Sequence, residues 1–168
     1  IRVVEYWPYA LRKTDVEETQ NDQDGPALRF QLKNPNVNVT EWIVQEGTKS
    51  AQFDLGPAKV ILATDVNEPA PTGNAILILP HTEKGKYNYL IFTSSKGGVT
   101  KKGVASVGEV LPTGWMGLEF KAIAIHQHAN RKSEYEKLEA PTPLSTSAMK
   151  LEFKGRENWL GLNSVVRL

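Results

Sequence analysis

The chain has 168 residues, of which 40% are hydrophobic and 23% charged, enough apolar material to bury a core. Its 20 basic and 19 acidic residues leave a net charge of +1, which lacks the basic field of a nucleic-acid binder. Cysteine is absent, which excludes disulfides, thiol catalysis and thiolate metal sites.

Period-two alternation begins at once. Val4, Tyr6 and Ala10 alternate with Glu5, Trp7 and Tyr9, and Leu28, Phe30 and Leu32 alternate with Arg29, Gln31 and Lys33. Each run predicts a strand with one face buried and one wet. The denser apolar runs AKVILA (58–63), NAILIL (74–79) and YNYLIF (87–92) predict central strands buried on both faces. Turn signals separate them: DGP at 24–26, NPN at 34–36, LGP at 55–57, EKGK at 83–86 and SSKGG at 94–98. KKG at 101–103 predicts a tight hairpin, with Lys96, Lys101 and Lys102 as a solvated basic tip.

The segment 108–129 enters through a Pro-Thr-Gly turn. It continues as one long strand, or two, with a bulge near Lys121–Ala122 that reconciles the opposite parities of Phe120 and Ile123. RKSEYEKLEA (131–140) has helical composition. Met149, Leu151 and Phe153 then alternate with Lys150, Glu152 and Lys154 as a final amphipathic strand.

The chain also repeats itself at an offset of about 120 residues. Ala10, Arg12, Lys13 and Thr14 stand against Ala129, Arg131, Lys132 and Ser133; Ala27, Leu28 and Arg29 against Ala148, Met149 and Lys150; Trp42 against Trp159. The counterpart of 131–140 is RKTDVEETQN (12–21), a poor helix former, so both copies are expected to be extended or loop segments with one helical turn at most. The expected architecture is all-β, sandwich-like or paired half-barrels, of about ten to twelve strands built from two related β units. One β domain is expected over 1–168, with repeats at 1–64 and 118–168 joined by a hairpin-rich middle.

Few residues carry chemistry. His126 and His128 form an H-x-H that a regular strand would place on one face, about 7 Å apart. Imidazole suits zinc or copper, yet His81 is the only other histidine and no third ligand lies nearby in sequence. Their counterparts in the first copy are Trp7 and Tyr9, so the simpler expectation is an aromatic-like interaction surface of Trp7, Tyr9, His126 and His128, with no metal and no cofactor. Asp54, Asp65 and Glu68 are the carboxylates available for acid–base work, although acids commonly flank turns. Trp42 and Trp159, equivalent in the two copies, are expected to pack rather than to stack on a ligand.

No run of 18 apolar residues exists, so the segment itself is not expected to insert in a bilayer. It opens on IRVVEYW without an initiator Met or a signal peptide, as a fragment or processed product would, and a flanking membrane anchor is compatible with that start.

The phrases EYWPYA, GPALRFQL, EWIV, DLGPAKV, PTGWMGLEF and WLGLNS resemble the extracytoplasmic β-rich portion of ResB-like proteins, a membrane-anchored family of cytochrome c maturation. The resemblance implies a periplasmic domain of a membrane-anchored protein that works with a protein partner. It carries over no functional residue, because the family's haem-handling histidines are associated with its membrane part. A non-enzymatic interaction or assembly domain is therefore the leading expectation. A carbohydrate- or peptide-binding module is the alternative, followed by a metal-dependent enzyme using His126 and His128.

Overall fold

The computed structural model describes residues 1–47, 49–63 and 71–161. Among these, thirteen strands and one short 3-10 turn make an all-β, sandwich-like fold of three sheets. No helix among the described residues is long and apolar enough to cross a membrane. The chain divides into two compact units. Unit 2 is contiguous, Val16–Asn130, while unit 1 combines Ile1–Asp15 with the described residues from Arg131 onward.

Unit 2 holds two sheets over one core. The first has the order β3-β2-β10-β9, from Asn38–Val44, Ala27–Lys33, Glu119–His126 and Val110–Pro112. The second runs β4-β5-β6-β7-β8, from Ala51–Leu55, Ala58–Leu62, Asn74–Pro80, Lys86–Thr93 and Gly98–Ser106. Leu28, Phe30, Leu32 and Phe120 of the first sheet meet Val60, Ile76, Ile78 and Tyr87 of the second in the main core. Phe30 and Phe120 stack at 6.0 Å. Each such fully buried side chain contributes about 1.5–3 kcal/mol of apolar transfer. Burial pushes the Tyr87 phenol well above its usual range, with the charge of Glu109 adding to the shift.

The three dense apolar runs are the central strands β5, β6 and β7, as expected from their composition. The middle of the chain is less uniform than a series of hairpins, because β5 and β6 pair in parallel. The predicted KKG hairpin does not form. Residues 98–106 are one edge strand whose exposed Lys101 and Lys102 pair with Ile91 and Leu90 of β7. Lysines on an edge hinder strand addition there, a requirement that a turn signal in sequence does not reveal. The actual turn lies just before, over the 3-10 segment Ser94–Lys96, where Gly97 takes φ +66°.

Unit 1 is built on the sheet order β11-β1-β12-β13. Its strands are β1 (Arg2–Glu18), β11 (Ala129–Lys137), β12 (Thr146–Phe153) and β13 (Arg156–Gly161). β1 and β11 each run from one unit into the other, so each unit takes part of both. The helical composition of 131–140 yields to the sheet: the Leu138 amide donates to the Tyr9 carbonyl at 2.9 Å, and Arg12 donates to Ser133 Oγ at 2.9 and 3.1 Å.

Positions matched in the sequence repeat occupy equivalent rungs. In unit 1, Tyr6 faces Met149, Trp7 faces Ala148 and Lys150 faces Trp159. In unit 2, Ile125 faces Leu28, His126 faces Ala27 and Arg29 faces Trp42. Both ladders slip at matching residues, at Val4 between Val3 and Glu5, and at Ile123 between Ala122 and Ala124. The bulge expected near Lys121–Ala122 thus sits at Ile123 and restores Ile125 to the core side.

Candidate functional site

The sequence-selected residues fall into two places, Trp7 and Tyr9 in unit 1, His126 and His128 in unit 2.

In unit 1, alternation along β1 turns Trp7 to the side opposite Tyr6. The Trp7 ring lies 3.9 Å from Trp159, which in turn lies 6.3 Å from Tyr135. The Trp7 indole donates to Glu5 Oε1 at 2.7 Å. Trp7 and Trp159 are therefore half-buried packing residues. Tyr9 remains 38% exposed and Tyr6 56%. Exposed Val3 and Val4 complete an apolar, aromatic first half of β1.

In unit 2, β10 ends at His126, and residues 127 and 128 form a bend before β11. The expected one-faced H-x-H strand pair does not occur. The Ala129 amide donates to Gly25 and the Thr19 amide to the His128 carbonyl, both at 2.9 Å, which turns the chain out of the β10 ladder. His126 stacks on Trp42 at 5.7 Å with an interplanar angle of 19°, and Arg29 lies 6.0 Å from the same indole. His128 makes a 2.9 Å hydrogen bond from Nδ1 to the Asp24 carbonyl. The carbonyl is an acceptor only, so Nδ1 carries the proton. His128 Nε2 lies 3.8 Å from Asp22.

All three histidines nevertheless line one cleft of about 200 Å³, with Glu18, Lys84 and Gln127. Three segments meet there: the end of β1, the β6–β7 turn and the 127–128 bend. Gln127 Nε2 donates to the His81 carbonyl at 2.9 Å and ties two of them together. His81 Nδ1 accepts from the Glu83 amide at 3.0 Å, which leaves its proton on Nε2 in the neutral ring. Glu18 pairs with Lys84 at 3.4 Å and approaches His126 Nδ1 at 3.9 Å. Lys86 pairs with Glu83 at 2.8 Å, and this hydrogen bond holds the Glu83 carboxyl below the usual range. The buried His126 Nδ1 has no hydrogen-bond partner.

The cleft can thus offer histidine donors and acceptors to a small polar group, with its carboxylates already engaged by lysines. Among the described residues, no three His, Asp or Glu side chains are grouped so as to hold a metal ion. Compared with known proteins, the chain matches no family model, no curated protein and no solved structure.

Asp54 lies on the β4–β5 hairpin, 3.5 Å from Lys59 and 3.1 Å from the Gln52 amide. The other two carboxylates of that set, Asp65 and Glu68, lie outside the described residues. Trp42 packs beside Val16, Ala27, Val44 and Ala129, and Trp115 is buried with its indole 3.3 Å from Thr93 Oγ1. Sequence reasoning missed Glu18, Lys84 and Gln127 as neighbours of the histidines. The EKGK turn at 83–86 was visible, but only the packing of the five-stranded sheet on the sheet that holds β10 brings it to His126.

Proposed function

We propose that this chain is a non-enzymatic interaction and assembly domain, held outside the cytoplasm by a membrane-anchored protein of cytochrome c maturation. The observation that supports it is the aromatic first half of β1. Tyr6, Trp7 and Tyr9 lie within four residues, and Tyr6 and Tyr9 are exposed. Tyrosine and tryptophan supply large contact area at low conformational cost, and they are enriched where proteins meet. The resemblance to ResB-like proteins supplies the process and the compartment. In this reading a protein partner docks at Tyr9, with Trp7 held in place by Trp159.

The test uses the full-length gene product in its own cell. A photo-crosslinking amino acid at Tyr9 is expected to capture a maturation protein, and Tyr9→Ser is expected to lower c-type cytochromes in haem-stained membranes. Unchanged cytochrome content with normal protein abundance would exclude this function.

A further inference from the structure

Each sheet ends on edge strands, and these differ in charge. β3 carries Glu41, β4 carries Asp54, and β11 and β13 each hold acids beside their basic residues. β9 is only three residues long. β8 alone is basic throughout, with Lys101 and Lys102 and no acid. The excess extends past the strand: no Asp or Glu stands between Lys84 and Gly108, a stretch that also holds Lys96. Among the described residues, Lys96, Lys101 and Lys102 take part in no ion pair, whereas Lys86 is held by Glu83.

The backbone of this edge is open. From Lys101 to Ser106 the ladder with β7 is continuous, and no strand among the described residues lies on its other side. Such a row of unpaired peptide groups is a template for one more strand. Val99 and Val104 on the same strand are 47% and 52% exposed. They face Phe92 and Asn88 of β7, as Lys102 faces Leu90, so all three stand on the side away from the main core. Leu90, Val99, Thr100, Lys101 and Lys102 line an open groove there. The free lysines and the apolar groove thus share one edge.

We propose that β8 takes an extended acidic segment of a partner protein as an added strand, with carboxylates on Lys101 and Lys102 and an apolar side chain in the groove at Leu90. A polypeptide backbone matches the open row of peptide groups, and a lipid headgroup or a nucleic acid offers no such ladder. Charge then selects among polypeptides. The lysines that hinder addition of an uncharged strand, or of β8 from a second copy, favour one that carries carboxylates. This contact lies in unit 2 and does not involve Tyr9 of unit 1.

The test adds a capped peptide of alternating Glu and Val to the purified 168-residue chain, with the same peptide carrying Lys for Glu as control. The acidic peptide is expected to bind and to slow amide exchange within 101–106, and the basic one to be refused. Lys101→Glu combined with Lys102→Glu is expected to weaken the acidic peptide by about tenfold and to transfer the preference to the basic one. Tyr9→Ser is expected to leave both results unchanged, which separates this site from the partner contact proposed above. Failure of the acidic peptide to bind, equal binding of the two peptides, or binding without protection of 101–106 would each overturn the added strand. So would binding of phosphatidylglycerol vesicles in place of the peptide, which would assign the lysines to a lipid surface. If the double variant loses its near-UV dichroism, the wild type decides by salt: affinity for the acidic peptide must fall as salt is raised, and salt-independent binding rejects the charge pairing.

Discussion

Leu28, Phe30 and Leu32 in unit 2 and Met149, Leu151 and Phe153 in unit 1 stand on equivalent rungs of equivalent ladders, one set fully buried and the other half-buried. The backbone register is the same down to the bulges at Val4 and Ile123. What differs is the layer above, a five-stranded sheet over one and, among the described residues of unit 1, no second sheet over the other. Register and burial are therefore separable: strand pairing fixes which side chains share a face, and a second layer decides whether that face stabilises the fold.

The sharpest way to break this comparison is to truncate matching residues. Phe30→Ala is expected to cost about 3–5 kcal/mol in urea unfolding, since it empties a filled core position. Leu151→Ala, measured in dilute solution, is expected to cost about 1 kcal/mol because the side chain is only partly removed from water. Equal losses would erase the distinction between the units.

Glycines give the next largest contrast. A Cβ at Gly25 would lie 2.6 Å from the Gln45 carbonyl oxygen, whereas one at Gly161 would lie 2.6 Å from the Tyr135 hydroxyl. Backbone cannot swing aside and a tyrosine tip can, so Gly25→Ala is expected to cost about 1–3 kcal/mol and Gly161→Ala less. Thermal melts that rank them in the opposite order would count against the packing described for Gln45.

Exchanging residues across the repeat probes a smaller effect. His126→Trp would set two indoles together at Trp42 as Trp7 and Trp159 are in unit 1. Stability is expected to move by less than about 1 kcal/mol, with a new near-UV dichroism signal from the indole pair. A large loss of stability would mean that the two sites are not interchangeable.

The smallest differences concern pH, and they have opposite sign. In unit 2 the hydrogen bond from Lys86 holds Glu83 below its ordinary pKa of 4.5, so its contribution is present above that value and lost as the pH falls. In unit 1 the hydrogen bond to Glu157 raises Lys150 above 10.5, so its contribution is present below that value and lost as the pH rises. Lys86→Met should return the Glu83 midpoint in an NMR titration toward 4.5. A midpoint that stays depressed would assign the shift to something other than Lys86.

Strand positions were legible because alternation and dense apolar runs respond to burial directly: β2, β5, β6, β7 and β12 lie where Leu28–Leu32, AKVILA, NAILIL, YNYLIF and Met149–Phe153 put them. Local turn chemistry was weaker evidence. KKG has suitable turn residues, but ladder pairing with β7 keeps residues 98–106 extended. The helical composition of 131–140 lost to pairing with β1 for the same reason. The cleft was least legible. His81 and His126 are far apart in sequence and meet through the Gln127–His81 hydrogen bond, a contact with no local signature.

The passage of β1 and β11 between units has a consequence for biosynthesis. Unit 2 is written without interruption from Val16 to Asn130, so its whole core is synthesised before β12 is made. Unit 1 needs both ends of the chain. Its first strand waits, with Val3 and Tyr6 in water, until β12 arrives to pair with it. Closure over so long a separation is entropically slow. A chain released from the ribosome after β11 would therefore carry every strand of unit 2 and a β1 leading segment without its β12 partner, the stretch most exposed to proteases and chaperones.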